Sequence, residues 1–63
     1  AIQVTYELNA DNKNREIEGI MEAVKNFNLS GGLIITLDQE DNFEIENRKI
    51  LVKPVWKWML ETL

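Results

Sequence analysis

The chain has 63 residues, which allows one domain at most and lies near the lower size limit for a self-sufficient hydrophobic core. It contains no cysteine and no histidine, so disulfides, thiolate metal sites and the usual general base are excluded. Eleven acidic and seven basic residues give a net charge of −4, which disfavours nucleic acid as a partner because phosphate backbones attract basic surfaces. There is no membrane-spanning apolar run and no signal-peptide pattern, so the sequence predicts a cytoplasmic protein without a membrane partner.

The first predicted element is a strand over residues 2–8. Residues in a strand alternate between two faces, and here the alternation separates apolar from polar side chains. One face consists of Ile2, Val4, Tyr6 and Leu8, and the other of Gln3, Thr5 and Glu7.

A helix is predicted over residues 12–27, with Asn12 as its N-cap. We expect one apolar stripe of this helix to cover the apolar face of the first strand. The run NLSGG ends the helix, with Gly31 or Gly32 in the left-handed conformation. The stripe consists of Ile17, Ile20, Met21, Val24 and Phe27.

The remaining elements complete an α/β fold with the order β-α-β-β-β-α. Residues 32–37 form a nearly continuous apolar run, typical of a central strand covered on both faces. Strand, helix and strand form a βαβ unit, so the first two strands should be parallel. A hairpin is predicted over residues 43–53 around Asn47–Arg48, followed by a helix over residues 54–62 that begins at Pro54.

Two polar or flexible segments resemble ligand loops but favour simpler interpretations. The pair Gly31–Gly32 precedes a strand rather than a helix, so it is a turn and this chain lacks the phosphate loop of ATP-binding domains. Asp38, Glu40 and Asp41 follow a buried strand but lack the glycine and terminal glutamate of a calcium loop. We expect a solvated turn there and no metal site.

The two tryptophans lie on the predicted last helix. Trp56 shares a helix face with Met59, Leu60 and Leu63, and this pattern predicts a core position for Trp56. Trp58 points elsewhere around the helix and is the candidate for a contact surface.

Three stretches, IQVTYEL, NREIEGIMEAVKNFNLSGGLIITLDQE and ILVKPVWKWML, occur in this order. Together they resemble the C-terminal end of prokaryotic AAA-superfamily ATPases, whose tail is a domain of unknown function. The resemblance covers almost the whole chain. It implies that residues 1–63 are one segment of a C-terminal domain similar to the PD-(D/E)xK, or restriction-endonuclease-like, fold. ATP and Mg²⁺ are then expected for the ATPase domain of the longer protein, and no cofactor for this segment.

In that nuclease fold one strand carries an E-x-K motif and a neighbouring strand carries an aspartate. The resemblance puts Gln3 at the acidic position and Thr5 at the lysine position, with the aspartate expected before Ala1. A neutral amide binds divalent cations less well than a carboxylate, and a hydroxyl supplies no positive charge. The resemblance therefore implies a degenerate site without catalytic residues. Glu7 and Arg15 are further candidate remnants, and the alternative for Arg15 is a salt bridge to a nearby carboxylate.

These observations lead to one main hypothesis and two alternatives. The main hypothesis is a non-catalytic module that couples an ATPase to DNA or to a partner protein. The alternatives are a metal-dependent nuclease half-site in the full-length protein and a protein-interaction or regulatory tail. The expected partners are the rest of the ATPase chain and a second copy of the segment, which would associate through the first strand or the Trp58 surface.

Overall fold

A computed structural model describes residues 1–63 as an α/β fold with one mixed four-stranded sheet. The strands lie in the order β1-β2-β4-β3, so β1 and β3 are the two edges. The predicted α/β class and the order of elements are confirmed. Neither helix is both long and apolar enough to cross a bilayer. The elements are β1 (Ile2–Val4), α1 (Lys13–Asn26), β2 (Gly31–Thr36), β3 (Asp41–Ile45), β4 (Arg48–Pro54) and α2 (Val55–Thr62).

The predicted parallel pairing of the first two strands is confirmed, but β1 is shorter than predicted. Strand β2 pairs in parallel with both β1 and β4, and β3 and β4 form an antiparallel hairpin. After Val4, the N–H of Thr5 still donates to the carbonyl of Ile35 at 2.9 Å. The N–H of Leu37 then donates to the carbonyl of Tyr6 at 3.1 Å. In a regular parallel pair it would donate to the carbonyl of Thr5, so the register shifts by one residue here. This shift ends the strand before residue 8.

Helix α1 has the predicted Asn12 at its N-cap position, but the Asn12 side chain does not cap the helix. Its Oδ1 accepts from the N–H of Asn9 at 2.9 Å, and its Nδ2 donates to the carbonyl of Glu7 at 2.7 Å. The side chain therefore fixes the loop between β1 and α1. After the helix, the left-handed residue is Asn28 (φ 51°), and the expected glycines already belong to β2. Asparagine is one of the few residues that adopt this conformation readily.

The hairpin turn is Glu46–Asn47, one residue before the predicted Asn47–Arg48. Both turn residues are left-handed, with φ of 52° and 65°, as a two-residue turn of the type that matches strand twist requires. Arg48 already belongs to β4 and pairs with Ile45. Lys25 donates a hydrogen bond to Glu46 and lowers the pKa of this carboxyl below its ordinary value. This salt bridge ties the turn to the end of α1.

The core lies between α1 and one face of the sheet, which we call the covered face. Gly32 lies on this face, and a Cβ there would be 2.7 Å from Cδ1 of Ile20. The absence of a side chain therefore allows α1 to approach β2 closely. The buried apolar cluster consists of Ile20, Met21, Val24, Ile34, Ile50 and Val52.

The prediction that α1 covers the apolar face of the first strand is wrong. Gln3 is in register with Ile34 of the covered face, so Ile2 and Val4 point to the opposite face. Ile2 is 62% exposed and Val4 is 75% exposed. Leu8 follows the register shift and packs against the core instead. Strand β2 is covered on both faces as predicted, since Ile34 and Ile35 are both buried.

Candidate interaction surface

The face of the sheet opposite α1, which we call the open face, is only partly covered. Because strand residues alternate, this face carries the neighbours of the core residues along each strand. Ile35 in the centre is 4% exposed, whereas Leu51 is 37% exposed and the β1 side chains are far more so. The chain therefore supplies a cover over the middle of this face and none over β1.

Helix α2 supplies that partial cover, and two surface salt bridges join it to β4 and to the loop before β3. Lys53, which lies on the open face of β4, binds Glu61 of the helix. Lys57 of the helix binds Glu40 in the loop before β3. The hydrogen bond from Lys53 lowers the pKa of Glu61, and the hydrogen bond to Glu40 raises the pKa of Lys57. Helix α2 therefore lies across the open face with its charged flank towards β4 and β3.

The rest of the α2 surface, away from Lys57 and Glu61, is apolar, and its first residue, Val55, lies beside the end of β1. Successive helical residues are rotated by about 100°, so Lys57 and Glu61 lie on one side of the helix and Met59 lies opposite them. Val55 and Trp58 are half-buried and face the sheet between the two flanks. The apolar flank consists of exposed Trp56, Met59, Leu60 and Leu63.

A cleft of about 340 Å³ lies where α2 begins, at the carboxyl ends of β1 and β2. Val55 of α2 lines it together with Val4, Tyr6 and Leu37. Tyr6 is 74% exposed and Leu37 is 48% exposed, so the cleft continues onto the uncovered part of the sheet. Contiguous exposed apolar side chains of this kind mark interaction sites. We define the open surface as Ile2, Val4, Tyr6, Leu37, Trp56, Met59, Leu60 and Leu63.

The open surface adjoins the unpaired edge of β1. The carbonyl of Ala1 accepts from the N–H of Leu33, and the N–H of Thr5 donates to the carbonyl of Ile35, both at 2.9 Å. In a parallel strand alternate residues bond to the same neighbour, so the backbone groups of Ile2 and Val4 point away from β2. Their N–H and C=O groups are open to another strand.

Gln3, predicted at the acidic position of a degenerate nuclease site, lies beneath α1. Its Nε2 donates to the backbone carbonyl of Glu16 at 3.1 Å and to the Glu16 carboxylate. Its Oε1 lies 3.4 Å from the place where a Cβ on Gly19 would be. The amide therefore links β1 to α1.

The other residues of the predicted degenerate site do not gather around Gln3. Thr5 lines the cleft, Glu7 is exposed beyond the register shift, and Arg15 is exposed on α1. No hydrogen bond or salt bridge joins these four side chains, and the predicted salt bridge of Arg15 is not formed. In the loop after β2, no cluster of acidic side chains is arranged to hold a metal ion, and Asp38, Glu40 and Asp41 are all exposed.

The predicted core position of Trp56 is wrong, whereas a contact of Trp58 with another part of the longer protein stays a prediction. Trp56 was expected in the core but is 57% exposed, and Trp58, expected at a contact surface, is half-buried against the sheet. Val55 and Trp58 form the side of α2 that faces the sheet, and the salt bridges of Lys57 and Glu61 lie on the flank beside them. The residues that sequence reasoning missed are the apolar side chains of β1. The sequence pattern that could have indicated them is the alternation in residues 2–8, which predicts an apolar strand face but not which part of the protein covers it.

The comparisons with known proteins give one similar sequence. The chain is 38% identical to the uncharacterized protein MJ1544 of Methanocaldococcus jannaschii over 65 aligned positions, which cover 94% of this chain. The chain spans only 15% of the length of that protein. No family model and no solved structure matches the chain.

Proposed function

We propose that this chain is a non-catalytic interaction module of a longer, cytoplasmic, ATP-dependent protein. In this proposal an AAA-type ATPase domain elsewhere in that protein binds ATP and Mg²⁺, and the module docks onto the rest of the protein or couples it to a partner. Its fold is then a degenerate relative of the restriction-endonuclease-like fold. The alignment with the archaeal protein supports the modular part, because the matched region is a small fraction of that protein.

The open surface is the observation that carries the proposal. Val4 and Tyr6 are about three-quarters exposed, although the neighbouring strand β2 has Ile34 fully buried on its other face. Large apolar side chains side by side in water are unfavourable, and burying them against another surface gains about 25 cal/mol per Å² of apolar area. A surface of this composition is therefore suited to contact with another polypeptide.

The side chain of Gln3 argues against the nuclease half-site. A metal-dependent nuclease needs oxygen ligands directed at a cation and a positive charge near the phosphate. The Gln3 amide instead donates to Glu16, and Thr5 next to it is uncharged. Chemistry at these positions would require breaking the link between β1 and α1.

The test of the docking role uses the longer protein that contains this segment. Val4→Lys charges the open surface, and Phe27→Lys is the matched control because Phe27 has the same 75% exposure but follows α1 on another part of the molecule. We expect Val4→Lys to change ATP hydrolysis severalfold and Phe27→Lys to leave it unchanged. Equal effects of the two substitutions, or no effect of either, would contradict the docking role.

The nuclease alternative is tested on the purified 63-residue chain with supercoiled plasmid and Mg²⁺ or Mn²⁺. We expect no cleavage above a metal-free control and no ATP hydrolysis. Metal-dependent nicking that is lost in a Glu7→Gln variant would favour the nuclease half-site and overturn the non-catalytic assignment.

A further inference from the structure

We propose that the open surface binds a second copy of this chain, so that α2 of each copy lies over β1 and β2 of the other. This inference rests on the proposed interaction role and names the partner. One molecule carries both an apolar groove on the open face and a helix whose exposed side chains have the spacing that fits such a groove.

The groove has a floor and one wall. Val4 and Leu37 form the floor where the groove opens into the cleft, Ile2 continues the floor along β1, and Val55 at the start of α2 forms the wall. Strand β1 is two strand spacings from β4, or about 10 Å, and a helix with its side chains is about 10 Å wide. One further helix therefore fits over β1 beside α2, on a parallel part of the sheet that normally has helices on both faces.

Helix α2 is itself such a helix. Peptide helices that bind apolar grooves use anchors at positions i, i+3, i+4 and i+7. The helix has eight residues, so it is about 12 Å long, which matches the roughly 13 Å from residue 2 to residue 6 along an extended chain. The exposed anchors with this spacing are Trp56, Met59, Leu60 and Leu63.

A surface that carries both the helix and its groove is self-complementary, which is what a two-fold dimer requires. Each helix then covers the β1 floor of the other copy, and the two α2 helices lie side by side. Both copies bury the same residues, so the exposed apolar area of each is covered in one step.

The charges favour this contact over others. The net charge of −4 makes two copies repel, and the exposed surface of α1 carries Glu18 and Glu22. Next to the open surface, Lys53 and Lys57 are already neutralised by salt bridges to Glu61 and Glu40 within each copy. Contact there brings no unpaired like charges together.

Sedimentation of the purified chain from micromolar to millimolar concentrations tests the proposal. We expect a reversible change from the mass of one chain to the mass of two. Val4→Lys and Met59→Glu should each raise the dissociation constant at least tenfold, and Phe27→Lys should not. Circular dichroism should show the same secondary structure for all three variants, because the three side chains are exposed.

Mixing two variants identifies the geometry. If Met59 of one copy contacts β1 of the other, an equimolar mixture of the Val4→Lys and Met59→Glu variants should associate at least tenfold more tightly than either variant alone. A single-chain mass at every concentration would overturn the proposal. A dimer that is insensitive to Met59→Glu would also overturn it and assign the contact to the edge of β1.

The result is separable from the proposed docking role. A monomeric chain whose Val4→Lys substitution still alters ATP hydrolysis in the longer protein refutes the second copy and supports docking to another partner. A dimer whose Val4→Lys substitution leaves ATP hydrolysis unchanged supports the second copy and refutes the docking role.

Discussion

The covered and open faces of the sheet are built from the same kinds of residue but differ sharply in burial. Ile34 and Ile50 on the covered face are fully buried, whereas Ile2 and Val4 on the open face are 62% and 75% exposed. Strand preference does not explain this difference, since all four residues are β-branched and lie in strands. The difference comes from the helix that covers each face. Helix α1, with 14 residues, covers one face, whereas α2, with eight, covers only part of the other. An apolar strand face thus indicates that a cover is needed, but not which polypeptide supplies it.

The largest expected effect is a difference in the free energy of unfolding between a substitution on the covered face and one on the open face. Ile34→Ala removes buried methyl groups from the covered face and should lower the free energy of unfolding by about 2–5 kcal/mol. Val4→Ala on the open face should change it by no more than about 0.5 kcal/mol. Urea unfolding at a concentration where the chain is monomeric measures both. Similar values for the two variants would show that the faces do not differ energetically in the monomer.

A smaller effect is expected where the chain leaves β1. Gln39 Oε1 accepts from the N–H of Leu8 at 2.6 Å, and its Nε2 donates to the carbonyl of Leu8 at 2.8 Å. Thr36 holds Gln39 through hydrogen bonds to its backbone N–H and C=O. Gln39→Ala removes both bonds to Leu8 and should cost about 1–3 kcal/mol in the free energy of unfolding.

The matched control for this site is Gln39→Glu, which keeps an acceptor for the Leu8 N–H and loses the donor. It sets a carboxylate oxygen against the carbonyl of Leu8, so it should also lower the free energy of unfolding, but it should leave the amide of Leu8 better protected from hydrogen exchange than Gln39→Ala does. Unchanged stability and unchanged exchange at Leu8 in both variants would mean that Leu8 stays on the core without this link.

The smallest expected effect concerns pH and the position of α2 on the open face. The hydrogen bond from Lys53 lowers the pKa of Glu61 below its ordinary 4.5, so its stabilisation is present above that value and is lost as pH falls through the lowered pKa. The hydrogen bond to Glu40 raises the pKa of Lys57 above 10.5, so its stabilisation is lost only as pH rises through the raised pKa. Helix α2 should therefore be held best between about pH 5 and pH 10.

Fluorescence of Trp58 in a Trp56→Phe background reports this change, because Trp58 is half-buried between α2 and the sheet. We expect a small shift towards the emission of exposed tryptophan below pH 4, which Glu61→Gln should reduce. High salt should reduce the effect, since both pairs are at the surface. A pH-independent signal that is unaffected by salt would mean that α2 is held by Val55 and Trp58 alone.

The elements themselves were predictable because their signals are local. Alternation in residues 2–8, a helical stripe after Asn12 and the apolar run of β2 gave the α/β class, the order of elements and the parallel pairing. The end of β1 was not predictable, because the register shift at Tyr6 coincides with bonds from Gln39, 31 residues after Leu8.

The candidate site was less predictable than the fold, for the same physical reason. A strand with period two looks the same whichever face α1 covers, so the sequence did not show that Gln3 would lie beneath the helix. Helix α2 is apolar on two sides, so its sequence pattern alone does not show which side faces the sheet, and one of its salt bridges reaches Glu40, 17 residues before Lys57. Trp56 is exposed although its spacing with Met59, Leu60 and Leu63 predicted a core position.

The two edges of the sheet set a limit on how far the protein can assemble. The β3 edge carries the exposed polar residues Asp41, Asn42 and Glu44, and this acidic edge repels a second copy of itself. The β1 edge and the neighbouring apolar surface lie together at the other side of the sheet, so a contact that covers both uses one side of each molecule. When a pair covers both, the charge of the β3 edge opposes further addition, and growth into fibrils is disfavoured.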